Sequence, residues 1–139
     1  MKKLLFIAML IIACAQGYTQ SLTVTNNIPG SALQFKVRGQ NSGAACNTSL
    51  SLMIPLPFTA SWLFPTPTTA PLAWGGPLLL PFTYDAVYFE VLSGGGMVLC
   101  TGTVGKPACG WPLAMAIPCL PGHTATWSNV GPNVTVVFN

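Results

Sequence analysis

Apolar and polar residues alternate along much of the chain, and this pattern predicts β-strands separated by turns. The clearest example is a hairpin over residues 84–103, with a Ser-Gly-Gly-Gly turn at 93–96. Three successive glycines permit the positive φ that a tight turn needs. In the first strand of this hairpin the predicted inward residues are Val87, Phe89 and Val91, and the predicted outward residues are Tyr88 and Glu90.

Similar short runs predict strands in the rest of the chain. They cover residues 22–25, 33–38, 50–54, 59–63, 124–127 and 134–138. The first two runs flank a turn at 26–30 and predict a hairpin. The first and last strands carry almost no charge, and we expect them to be sheet edges open to strand addition. With no helical period after residue 17, the chain is predicted to be all-β, an antiparallel β-sandwich of Ig-like or jelly-roll-like type.

Seven prolines interrupt the pattern between Pro55 and Pro81. Prolines at this density exclude a helix and predict a long irregular loop over one end of the sandwich. Two interpretations of its large apolar side chains stay open: they cap the core, or they form an exposed patch that docks on a partner. The candidate partner contacts are Trp62, Phe64, Trp74 and Leu79.

The first residues have the pattern of an export signal. Two lysines precede an apolar run at 4–13, which is shorter than the roughly 20 residues of a membrane span. A small-x-small site predicts a signal peptide over 1–17. A lipobox-like sequence ending at Cys14 predicts instead a leader over 1–13 and acylation of that cysteine. Either way residues 22–139 form one domain that is exported to the periplasm, the outer-membrane surface or the extracellular space, with membrane attachment only through a lipid on Cys14.

Charge is scarce. Charged residues make up 5% of the chain, against about 25% in an ordinary domain. After the leader, three cations and two carboxylates remain, a net charge of +1. Cations this scattered form no basic patch, so a nucleic-acid partner is excluded. A surface so poor in charge is weakly protected against association, and we expect a protein partner or self-association.

Four cysteines remain after the leader: Cys46, Cys100, Cys109 and Cys119. An even number in an exported chain predicts two disulfides that staple the sandwich. Three pairings stay open. Because Cys109 and Cys119 bracket one loop, we favour the pairs Cys109–Cys119 and Cys46–Cys100. Without a Cys-x-x-Cys motif, and with a single histidine, a zinc site is disfavoured.

The sequence gives little support to a catalytic function. Asp85 and Glu90, the only carboxylates, lie five residues apart on one predicted strand and point to opposite faces, which disfavours a glycosidase pair. His123 follows a Pro-Gly pair and is expected in a loop, and no Gly-x-Ser-x-Gly elbow accompanies it. Calcium and phosphate-binding patterns are missing as well. The sequence therefore predicts no enzyme and assigns no catalytic, cofactor-binding or metal-binding residue.

Segments at the two ends of the chain resemble those of a known class of proteins. The opening Leu-Thr-Val-Thr-Asn-Asn at 22–27, the segment 125–127 and the ending 134–139 resemble small secreted β-sandwich proteins of Bacteroidota-type bacteria. The resemblance implies this fold and export, and it implies no site. We expect a non-catalytic structural or accessory protein of a cell-surface or extracellular assembly, which acts through protein contacts. The alternative is a carbohydrate-binding module whose exposed rings stack on a glycan; the candidates are Trp62, Trp74, Trp111 and Trp127.

Overall fold

The computed structural model of the protein describes residues 20–41, 46, 49–50, 53–64 and 82–139. Within these ranges the regular elements are ten β-strands and one 3₁₀ turn at Pro107–Cys109. The strands are β1 (Leu22–Asn26), β2 (Ala32–Asn41), β3 (Ser49–Leu50), β4 (Ile54–Leu56), β5 (Ser61–Phe64), β6 (Phe82–Leu92), β7 (Val98–Gly105), β8 (Ala114–Ala116), β9 (Thr124–Val130) and β10 (Asn133–Phe138).

The strands form two packed sheets. Sheet 1 has the order β5-β1-β10-β9-β8, and sheet 2 has the order β3-β2-β6-β7, with β4 also paired to β2. All pairings are antiparallel except that of β1 with β10. The predicted all-β, disulfide-stapled sandwich is therefore confirmed.

The core lies between the inner faces of the two sheets. Phe89 of sheet 2 meets Phe138 of sheet 1 edge-on, with ring centroids 5.0 Å apart. Trp127 belongs to the same core and is 2% exposed. Each such side chain contributes roughly 1.5–3 kcal/mol by leaving water. The inward and outward faces predicted for the central hairpin are confirmed, since Val87, Phe89 and Val91 are buried while Tyr88 and Glu90 are half-buried on the outside.

The predicted hairpin between the first two strands is wrong, because β1 belongs to sheet 1 and β2 to sheet 2. The intervening turn carries the chain across the core, and Ile28 is buried within it. Asn26 holds this crossing. Its Oδ1 accepts a hydrogen bond from the Ile28 amide at 2.9 Å, and its Nδ2 donates to the Leu56 carbonyl at 3.0 Å.

The terminal strands are not edges, which corrects a second prediction. β1 lies between β5 and β10, and β10 lies between β1 and β9. The outermost strands that the structure describes in each sheet are short or irregular. β5 and β8 span four and three residues, β4 contains Pro55, and β7 bulges at Leu99, because Val91 pairs with Cys100 while Leu92 pairs with Val98. These features oppose strand addition at the edges.

The start of the Pro-rich stretch contains part of β4 and all of β5, and β5 confirms the strand predicted over residues 59–63. Residues 65–81, which include Trp74 and Leu79, lie outside the described residues, and so does the leader with Cys14. The strand β8 within the 109–119 loop was not predicted. No helix in the described part of the chain is long and apolar enough to span a membrane.

All four cysteines in the described part of the chain form disulfides, but the favoured pairing was wrong. The bonds join Cys46 to Cys109 and Cys100 to Cys119. The reason is a chain reversal between β7 and β8. The Gly105 amide donates to the Pro112 carbonyl, and Met115 of β8 lies against Gly102 of β7 although the two strands belong to different sheets. Cys119 therefore returns to the start of β7, where Cys100 lies, and Cys109 stays at the far end.

Candidate protein-contact face

The outer surfaces of the two sheets differ in charge. No Asp, Glu, Lys or Arg occurs in any of the five strands of sheet 1. All five charges of residues 22–139 lie in sheet 2 or directly after it. They are Lys36 and Arg38 on β2, Asp85 and Glu90 on β6, and Lys106 after β7. Strand periodicity and sheet order together therefore separate a neutral side from a charged side.

We name the outward residues of sheet 1 the neutral face. They alternate with buried residues of the same strands, as period 2 requires. The neutral face consists of Thr23, Thr25, Ser61, Leu63, Ala114, Ala116, Thr124, Thr126, Ser128, Val130, Asn133, Thr135 and Val137. Threonine and valine suit a pleated surface because of their branched Cβ atoms.

Hydroxyl groups on the neutral face bond to one another and to the backbone. Thr25 Oγ1 and Ser61 Oγ are 2.9 Å apart across β1 and β5. Ser128 Oγ donates to the Thr135 carbonyl at 3.5 Å. Because part of their hydrogen-bonding capacity is already used, these side chains present methyl groups and few strong donors to a partner.

Large apolar side chains lie on and beside this face at the β5 edge. Leu63 belongs to the neutral face and is 62% exposed, and Trp62 at its rim is 44% exposed. The Trp62 Nε1 donates to the Pro55 carbonyl at 2.9 Å, which fixes the indole against the edge of sheet 2. Phe64 is different: it is buried and contacts Phe35 edge-on, with centroids 6.3 Å apart. Phe64 therefore follows the first of the two interpretations left open for the Pro-rich stretch, a side chain that caps the core.

The outer face of sheet 2 holds its polar side chains in pairs across the strands. Glu90 accepts hydrogen bonds from Gln34 Nε2 and, at 2.9 Å, from the Tyr88 hydroxyl. Lys36 Nζ lies 5.8 Å from the centre of the Tyr88 ring. Burial raises the pKa of Tyr88 above its ordinary value, and the bond to Glu90 and its charge add to that shift. The charged groups here are engaged with one another.

Asp85 occupies a bulge at the corner where β6 begins. Arg38 pairs with Ala86 while Gly39 pairs with Tyr84, so Asp85 is the additional residue on β6. It is fully buried, and Lys106 Nζ donates to its Oδ1 at 3.0 Å. The bulge explains why Tyr84, Asp85 and Ala86 are all buried, where a regular strand would alternate.

The groups considered for catalysis lie in different settings. Asp85 is buried at this corner, whereas Glu90 lies half-buried on the outer face of sheet 2. The side-chain hydrogen bonds of the two carboxylates go to different residues. His123 lies in the connection between β8 and β9, as predicted. Its amide donates to the Leu120 carbonyl at 3.0 Å, and its carbonyl accepts from Ile117 at 3.0 Å.

Three of the four tryptophans lie in the described residues, and they are not alike. Trp127 is in the core. The Arg38 guanidinium covers the half-buried Trp111 ring, with Cζ 5.2 Å from the ring centre. Trp62 alone among these three is largely exposed. Among the described residues, one indole ring is thus exposed enough to stack on a glycan.

Sequence reasoning did not find the neutral face, although part of its signal was present. The polar positions of residues 22–25, 124–127 and 134–138 are all Thr, whereas those of 33–38 are Gln, Lys and Arg. What was missing was the sheet order that places the first three segments side by side. The chain matches no known family model, and no curated protein or solved structure matches it.

Proposed function

We propose that this chain is a non-catalytic accessory protein of an exported assembly, and that it docks on a protein partner through the neutral face. The observation that carries the proposal is the separation of charge between the two sheets. The centres of protein interfaces are depleted of charged residues and enriched in aromatic ones. The neutral face has no charge to desolvate, and the exposed Leu63 and the rim residue Trp62 supply apolar area.

The size of the face sets the expected strength of the contact. Five strands about 4.8 Å apart, each roughly five residues long at about 3.3 Å per residue, cover about 400 Å². A typical stable interface takes about 800 Å² from each partner. The neutral face alone therefore supports a weak contact, and a stable one needs the rim around Trp62 as well.

The edges of the sheets are less suited to the contact than the face. Strand addition needs a long, regular edge with unpaired backbone groups. The edges that the structure describes are short at β5 and β8, bulged at Leu99 of β7, or broken by Pro55 of β4. Docking on side chains of the face is therefore the mode we propose.

The experiment uses a photo-crosslinking amino acid at position 135, at the centre of the neutral face, and at position 103, outward on sheet 2. Both variants are expressed in the native host and irradiated. We expect one defined protein adduct from position 135 and none from position 103. Adducts at equal yield from both positions, or from neither, would contradict docking through the neutral face.

A glycan partner is the alternative, and Trp62 is the one described indole that favours it. A glycan array probed with the wild-type chain and with Trp62→Ala decides between the two. Binding that Trp62→Ala abolishes would favour the carbohydrate function, and an array without signal would remove it.

A further inference from the structure

A disulfide and a buried ion pair share the corner at the end of β7. The Sγ atoms of Cys46 and Cys109 and a carboxylate oxygen of Asp85 lie within 4.8 Å of one another. Asp85 is fully buried, and its Oδ1 accepts a hydrogen bond from Lys106. Its Oδ2 is buried and has no hydrogen-bond partner. A buried carboxylate oxygen with unused lone pairs is costly, so a carboxylate that has such an oxygen and lies beside two sulfur atoms calls for a functional reason.

The second disulfide has a different environment. Cys100 and Cys119 pack against the hydrophobic core, and they belong to no comparable group of titratable side chains among the residues that the structure describes. Their bond joins the start of β7 in sheet 2 to the loop after β8 in sheet 1. The chain thus has one disulfide in an apolar setting and one beside a carboxylate and an ammonium group.

We propose that Cys46–Cys109 is a redox-active disulfide that exchanges with dithiols, and that Asp85 takes up and returns the proton of the Cys109 thiol. Cys109 is the better-held sulfur. It ends the 3₁₀ turn that follows Lys106, and its amide donates to the Lys106 carbonyl at 2.9 Å. Because Cys109 is held in this turn, we assign it as the leaving sulfur and Cys46 as the attacked one.

The exchange balances in two steps. A thiolate of the dithiol attacks Cys46 Sγ, the bond between Cys46 and Cys109 breaks, and its electron pair leaves on Cys109 Sγ. The second thiolate of the dithiol then attacks the other dithiol sulfur, which is bonded to Cys46 Sγ in the mixed disulfide. This attack expels the Cys46 thiolate. The two protons of the dithiol end on the two cysteines, and the dithiol becomes a disulfide. On re-oxidation, Asp85 Oδ2 accepts the Cys109 proton so that the thiolate can attack.

The test reduces the oxidised, folded chain with dithiothreitol and follows each cysteine by differential alkylation and mass spectrometry, while circular dichroism reports on the fold. We expect Cys46–Cys109 to open at least about tenfold faster than Cys100–Cys119, with the β-sheet signal unchanged. Equal rates for the two bonds, or opening only as the fold is lost, would overturn the proposal and show two structural disulfides. This comparison needs no variant.

The role of Asp85 is tested by re-oxidation of the reduced chain with oxidised dithiothreitol. Asp85→Asn is expected to slow closure of Cys46–Cys109 by about tenfold or more, with the largest effect at mildly acidic pH, where few thiols ionise unaided. Glu90→Gln, which removes the other carboxylate, is the matched control and should close like the wild type. If Asp85→Asn and Glu90→Gln close at the same rate at every pH, Asp85 takes no part in the exchange.

Discussion

Gly105 lies against the carbonyl oxygen of Asp85, so closely that a Cβ atom at position 105 would overlap this oxygen and the Ala86 side chain. The contact arises from the bulge, which brings the β6 backbone at Asp85 toward the end of β7. The same bulge buries Asp85 next to Lys106, the residue after Gly105. The absence of a side chain at Gly105 thus permits both the bulge and the buried ion pair.

Gly105→Ala is therefore expected to lower the free energy of unfolding by about 3 kcal/mol, because neither backbone nor core can move aside cheaply. Urea denaturation measures the change. Gly94→Ala is the matched control, since no atom lies within 4 Å of a Cβ there. We expect the control to stay within about 0.5 kcal/mol of the wild type. Equal losses in both variants would show that the close approach at Gly105 does not exist.

Lys106→Met tests the buried ion pair. Removal of the ammonium group leaves the fully buried Asp85 carboxylate without its charge partner. Breaking a buried pair from one side costs about 3–5 kcal/mol, and we expect a loss toward the lower end because the Lys106 side chain is 23% exposed. The control is Lys36→Met on the outer face of sheet 2, for which thermal denaturation should show a small change. A similar Tm for both variants would contradict the buried pairing.

Tyr84→Phe tests how the stability depends on alkaline pH. Burial raises the pKa of Tyr84 above its ordinary value of 10.0. Above pH 10 the unfolded chain releases this proton while the folded chain keeps it, so the unfolded state binds fewer protons and stability falls as pH rises. The contribution of Tyr84 to the free energy of unfolding is thus fully present below about pH 10 and is lost as the pH rises above that value.

The variant keeps the ring and removes the ionisable hydroxyl. Urea denaturation at a series of pH values should show a shallower alkaline loss in Tyr84→Phe than in the wild type. Identical slopes in the two proteins would mean that the pKa of Tyr84 is the same in the folded and unfolded states, contrary to this prediction.

The disulfide pairing is checked by proteolysis without reduction, followed by mass spectrometry. We expect peptides that link Cys46 to Cys109 and Cys100 to Cys119. The double variant Cys100→Ser/Cys119→Ser should lose about 2–4 kcal/mol of stability, because the bond between the sheets no longer constrains the unfolded chain. Peptides that link Cys109 to Cys119 would contradict this pairing and support the one favoured from the sequence.

The fold was predictable where local pattern decides the structure. Residues 84–91 alternate strongly enough that both the inward and outward faces of this strand were correct, apart from the bulge at Asp85. The bulge itself was not predictable, because it depends on the gap that Gly105 leaves in the neighbouring strand. Period 2 identifies the two faces of a strand, but it does not show where one strand gains a residue relative to the next.

Long-range relationships were predicted poorly. The turn after Asn26 has the composition of a hairpin turn, yet the chain crosses there to the other sheet, because the Asn26 side chain bonds to the Leu56 carbonyl. The parallel pairing of β1 with β10 joins the two ends of the domain, and nothing local signals it. The neutral face depends on that pairing. Its outward residues could be predicted from the sequence, but their arrangement side by side in one sheet could not.

The most direct test of docking through the neutral face places one charge at its centre. Thr135→Lys adds a cation on β10, and Thr103→Lys adds the same cation outward on β7 of sheet 2 as the matched control. The measurement is sedimentation velocity of the three purified proteins, alone at rising concentration and mixed with the partner identified by crosslinking. We expect the wild type and Thr103→Lys to form the complex and Thr135→Lys to remain monomeric with an unchanged fold. If all three proteins form the complex to the same extent, or all three stay monomeric, the neutral face is not the contact surface.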